Sequence, residues 1–103
     1  MDIESFWSWL RVPSNLTVKN EEPIITGGPN PRAGRLYARI NFRNGSIRLI
    51  ATEAPSRVLD VQIASSSTEF EGVELERIRI SVEKLLNSKL NRRVYVSKTL
   101  AGV

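Results

Sequence analysis

Between residues 35 and 52 the chain alternates polar and apolar positions with a period of two. Leu36, Ala38, Ile40 and Phe42 are interleaved with Arg35, Tyr37, Arg39, Asn41 and Arg43; Ile47, Leu49 and Ala51 are interleaved with Arg48, Ile50 and Thr52. Successive side chains of a strand point to opposite faces, so this pattern predicts two strands with one apolar and one polar face. Asn44-Gly45 is the preferred pair for a two-residue type I′ turn, which predicts a hairpin over 35–52. Pro55 marks the next turn. A third strand is expected at 57–64, where Leu59, Val61 and Ile63 alternate with Val58, Asp60 and Gln62.

Elsewhere the period is helical. Ile3, Phe6, Trp7 and Leu10 share a face over residues 2–11, Asp2 and Glu4 suit a helix N-terminus, and Pro13 ends the run. Leu75, Ile78, Val82, Leu85 and Leu86 predict a second helix over about 72–90, opened by a capping-box spacing at Thr68 and Glu71. Residues 73–82 carry a competing signal, because Ile78, Ile80 and Val82 also alternate with Arg77, Arg79 and Ser81. Helix is preferred, since glutamates gather at the front of the segment and Lys84 and Lys89 lie towards its back, complementing the helix dipole. Arg93–Ser97 reads as a last short strand. Residues 20–34, broken by Gly27-Gly28-Pro29-Asn30-Pro31 and Gly34, read as a loop or arm, with short edge strands at 16–19 and 23–26. The Gly-Gly pair lacks the spacing of a phosphate loop. The expected fold is a single α+β domain: an antiparallel meander, with one face covered by the C-terminal helix and a short N-terminal one. Its core is placed at 35–98.

Composition narrows the chemistry. The 103 residues are 41% hydrophobic and 25% charged, ordinary proportions for a globular domain. There is no cysteine and no histidine, which removes disulfides, thiolate metal sites, the commonest general base and the commonest transition-metal ligand. Glu69, Glu71, Glu74 and Glu76 do not form a calcium-loop pattern, and Ser65, Ser66 and Ser67 have no histidine partner. Glu53 with Asp60-Val61-Gln62 lacks the lysine of a nuclease pattern. No enzyme, no cofactor and no metal is expected. The acidic start Met1-Asp2-Ile3-Glu4 is not a secretory signal, and no apolar run approaches the roughly 20 residues of a membrane span. A cytoplasmic, reducing location is the expectation.

Net charge is only +4, but it is segmented. Six arginines and one acid lie between Arg32 and Arg57; five glutamates face two arginines between Glu69 and Glu83; five basic residues and no acid lie between Lys84 and Lys98. The polar face of the hairpin therefore collects Arg35, Tyr37, Arg39, Asn41, Arg43 and Arg48. Guanidinium groups pair bidentately with phosphate, and a tyrosine ring stacks on an unpaired base. Lys89, Arg92, Arg93 and Lys98 read either as an extension of the same surface or as helix-dipole complement and ordinary solvated charge. Phe6, Trp7, Trp9 and Leu10 are a heavy aromatic load for a short helix and are the expected self-association residues of a homo-oligomer. The same stripe is equally the signature of a helix docked on the domain's own core.

The order helix, three strands, helix resembles that of the double-stranded RNA-binding domain. The resemblance stops at the start of the second helix, lysine-rich in that family and glutamate-rich here. A nucleic-acid-binding sheet backed by a helix is also similar in architecture to single-strand-binding and viral coat folds. The expected function is a small, oligomeric nucleic-acid-binding protein. It would contact single-stranded DNA or RNA through the arginine-rich sheet face. The alternative is a structural, assembly or adaptor protein, for example viral or phage, that uses the same face for a protein partner.

Overall fold

The computed structural model describes residues 2–18, 20–43, 45–54, 58–65, 72–88 and 93–97. Its elements run α1 (Ile3–Leu10), β1 (Ile24–Asn30), β2 (Arg35–Phe42), β3 (Gly45–Glu53), β4 (Leu59–Ser65), α2 (Gly72–Ser88) and β5 (Arg93–Ser97). The fold is α+β. One five-stranded sheet has its strands in chain order, β1-β2-β3-β4-β5, antiparallel except for the last pair. The parallel β4–β5 pair follows from the intervening helix: α2 carries the chain back to the starting end of β4 before β5 begins.

Period-two alternation sorts the strands into two faces. Leu36, Ala38, Ile40, Ile47, Leu49, Ala51, Leu59, Val61 and Ile63 are buried on the inner face. Ile3, Phe6 and Leu10 of α1 and Leu75, Ile78, Val82 and Leu86 of α2 complete the same core. α1 packs over β1, β2 and β3, and α2 over β4 and β5. Both helices thus cover one face, and the described residues provide no layer over the other.

The helix termini are chemically explained. Asp2 caps α1, its Oδ1 accepting the Ser5 backbone N–H at 2.8 Å. That hydrogen bond holds the Asp2 carboxyl below its ordinary pKa. The Phe6 and Trp9 rings stack with centroids 6.1 Å apart. Asn15 donates its side-chain N–H to the Trp9 carbonyl at 2.8 Å, tying the helix end to a 3₁₀ turn at Pro13–Leu16. On α2, Arg79 donates to Glu76 at 2.6 Å and also pairs with Glu83. The competing strand reading of 73–82 does not hold.

Three local expectations are corrected. The edge strand expected at 23–26 forms but runs further, as β1 in full register with β2, so residues 27–30 are strand rather than loop or arm. Of the strand expected at 16–19, the described residues 16–18 form none: Leu16 ends the 3₁₀ turn and Val18 makes only an isolated bridge to Glu21. The hairpin pairs Phe42 with Gly45, so its turn lies one residue earlier than Asn44-Gly45 predicts. That displacement shifts the register by two residues, and the faces are therefore unchanged. The expected capping box at Thr68 and Glu71, and Arg57, Lys89, Arg92 and Lys98, lie outside the described residues.

Candidate nucleic-acid interface

On the uncovered face, cross-strand partners line up in rows that run across the sheet. One row is Thr26, Arg39, Arg48 and Ala64 in strand order. The next is Gly28, Tyr37, Ile50, Gln62 and Tyr95. The third is Asn30, Arg35, Thr52, Asp60 and Arg93. Ile24, Asn41 and Ser46 stand at the hairpin end.

Arg39 and Arg48 are direct cross-strand partners. Neither is in an ion pair with a carboxylate among the described residues. Like charges directly opposite on a strand pair are destabilising, so the fold carries this pair at a cost. Tyr37, one row away, is 46% exposed, and its hydroxyl accepts a 3.3 Å hydrogen bond from Arg35 Nη1. Gly27 and Gly28 put no side chain beside it. Thr26, Gly27, Tyr37, Ala38, Arg39 and Arg48 together line a depression of about 260 Å³. The site thus offers one exposed ring edged by three guanidinium groups.

The structure brings together Arg35, Tyr37, Arg39 and Arg48, as the period-two pattern requires. It gives the other two hairpin residues different surroundings. Asn41 donates its side-chain N–H to the Ile24 carbonyl at 2.9 Å, so its amide helps hold β1 to β2. Arg43 is exposed at the turn, where its backbone N–H donates to Glu21 Oε1 at 2.6 Å. Glu21 and Glu22 share a depression of about 540 Å³ with it. Arg43 thus sits in a mixed-charge environment at the end of the basic rows.

The four aromatic-helix residues separate in the same way. Phe6 and Leu10 are wholly buried in the domain's own core and offer no surface to a partner. Trp7 and Trp9 are half-buried and pack against that core.

One residue of the face, Tyr95, is missing from the sequence-based prediction, whereas Arg93 is among the residues read as extending the basic surface. Tyr95 is 53% exposed in the same row as Tyr37, and Arg93 stands beside Asp60 with Nη1 3.6 Å from Oδ1. Their alternation with Val94 was visible. The parallel pairing that carries β5 to the far edge of the sheet was not. Among the described residues no group of acidic side chains is arranged to hold a metal, and no helix is long and apolar enough to cross a membrane. No family model, no curated protein and no solved structure matches the chain.

Proposed function

We propose that this protein binds single-stranded DNA or RNA on the uncovered face of its sheet, without catalysing a reaction. The observation that carries this reading is the Arg39–Arg48 pair, two arginines at directly opposed positions of β2 and β3 that line one depression with an exposed tyrosine. A phosphate between them relieves their repulsion and accepts hydrogen bonds from both. Arg35 and Arg93 supply charge on the other side of the tyrosine row. Contacts of this kind neutralise the backbone and carry little sequence information.

The test is a fluorescence-anisotropy titration of protein stripped of nucleic acid, against labelled single- and double-stranded oligonucleotides over a salt series. Single strands are expected to bind more tightly. Engagement of three or four phosphates gives a slope of log K against log salt of roughly −2 to −3. Arg39→Glu combined with Arg48→Glu is expected to abolish binding while the thermal unfolding transition persists. Normal binding by the double variant, or no binding by the parent protein at low salt, overturns the reading.

The face supports a second reading through a different observation. Tyr37, Ile50 and Tyr95 form an apolar band within a polar surround, the composition of a protein interface core. Under this reading the face joins copies of the chain or an acidic protein partner, as an assembly or adaptor protein would. The same double variant would then change the mass measured by light scattering, with no nucleic acid present.

A further inference from the structure

We infer that Tyr95 is a second base-stacking platform, and that Tyr37 and Tyr95 together set the path of a single strand across the sheet; this rests on the single-strand-binding reading of the face. Tyr37 and Tyr95 belong to one cross-strand row, Tyr37↔Ile50↔Gln62↔Tyr95. Among the described residues they are the two exposed aromatic rings of that face, at 46% and 53%. Buried tyrosines serve cores; rings this exposed, on a face that the described residues leave uncovered, offer π surface to a planar ligand.

The spacing decides what such a ligand is. Three strand-to-strand steps separate the rings, about 14 Å at the usual interstrand distance. Neighbouring bases in a stack are only about 3.4 Å apart, so two stacked neighbours do not reach both rings. A single strand running perpendicular to the β-strands does, with at least one nucleotide spanning Ile50 and Gln62. Gln62 is exposed there and offers both a donor and an acceptor to a base edge. The arginines flank this line on both sides: Arg39 and Arg48 in the row on one side, Arg35 and Arg93 in the row on the other. The charge pattern is that of a track for a polyanion whose bases face the tyrosine row.

The experiment compares the full chain with Tyr95→Ala, Tyr95→Phe and Tyr95→Leu on a labelled oligothymidylate of about ten nucleotides, and on an unlabelled dinucleotide as competitor. Tyr95→Ala is expected to weaken the longer strand about five-fold or more, the loss of one base–aromatic stack. Tyr95→Phe should retain near-parental affinity and Tyr95→Leu should not, since bulk without a ring does not stack. The dinucleotide reaches one ring at a time, so its affinity should change by no more than about two-fold. Equal affinity of Tyr95→Ala and parent for the longer strand overturns the inference. If Arg39→Glu with Arg48→Glu still abolishes binding in that case, the basic face stands and only the second platform falls. Absence of binding by the parent removes both.

Discussion

Gly27 of β1 pairs with Ala38 of β2. Its φ of +110° is one that side-chain-bearing residues rarely adopt, and a Cβ added there would lie 2.1 Å from the Tyr37 carbonyl oxygen. Gly27→Ala therefore has to push the edge strand away from the strand that carries Tyr37. The expected loss is more than about 1 kcal/mol, read as a lower urea midpoint. Gly28, one residue on, has open space around its Cβ position and is expected to tolerate alanine far better. The two adjacent glycines thus separate a backbone requirement from a merely small residue. The Arg39–Arg48 pair gives the opposite kind of prediction. Arg39→Glu alone replaces a like-charge cross-strand pair with an opposite-charge one, a change of about 0.2–1 kcal/mol in favour of the fold. A domain of this size should then melt roughly 1–6 °C higher, while its affinity for single strands falls. Stability and binding moving in opposite directions is the signature of a residue kept for a ligand; a variant that melts lower and binds normally would remove that assignment.

The same logic at the scale of elements concerns the helices. Phe6 lies at the centre of the α1 contact with the sheet and is fully buried. Phe6→Ala is expected to cost about 3–5 kcal/mol, measured by chemical denaturation, with no dependence on protein concentration. A strong concentration dependence would instead place α1 in an interface between copies. The helix termini add an acid-side pH dependence. The Asp2 carboxyl is held low by its capping hydrogen bond, and Glu76 by the Arg79 guanidinium. Both folded pKa values lie below the unfolded ones, so this stabilisation is complete only above about pH 5.5. It is lost as pH falls through the lower folded values. Asp2→Ala should melt below the parent at neutral pH, and the gap should narrow across that acid window. Strong periodicity made these elements legible: both helices and the inner faces of β2, β3 and β4 fall where the spacing of Phe6, Leu36, Leu49, Val61 and Ile78 puts them. The edge strand expected at 23–26 stops short of the true end of β1 because glycine and proline are read as breakers. On an edge strand, Pro29 leaves no ladder bond unmade on the solvent side, and Gly27 answers a close backbone approach. The arginine cluster followed from alternation alone, whereas Tyr95 depended on a parallel pairing across α2 that no local pattern specifies.

For the molecule as a whole the governing feature is the division of charge between two layers. In the helix layer Glu76 and Glu83 are answered on their own helix by Arg79. The open sheet face carries Arg35, Arg39, Arg48 and Arg93, and among its described positions Asp60 is the one carboxylate. Asp60 lies next to Arg93 in the row that also holds Arg35, so it offsets part of the field that a polyanion would meet there. A bound phosphate and this carboxylate compete for the same guanidinium. Asp60→Asn preserves size and removes the competitor. It is expected to tighten single-strand binding several-fold at low salt, with the gain appearing mainly in the association rate and shrinking as the Debye length contracts. Stopped-flow association at two ionic strengths reads this directly. A tighter complex with a salt-dependent on-rate places Arg93 on the binding track. Unchanged kinetics would confine the interface to Arg39, Arg48 and their neighbours on β2 and β3. A weaker complex would mean that Asp60 holds Arg93 in its binding position, reversing the role given to it here.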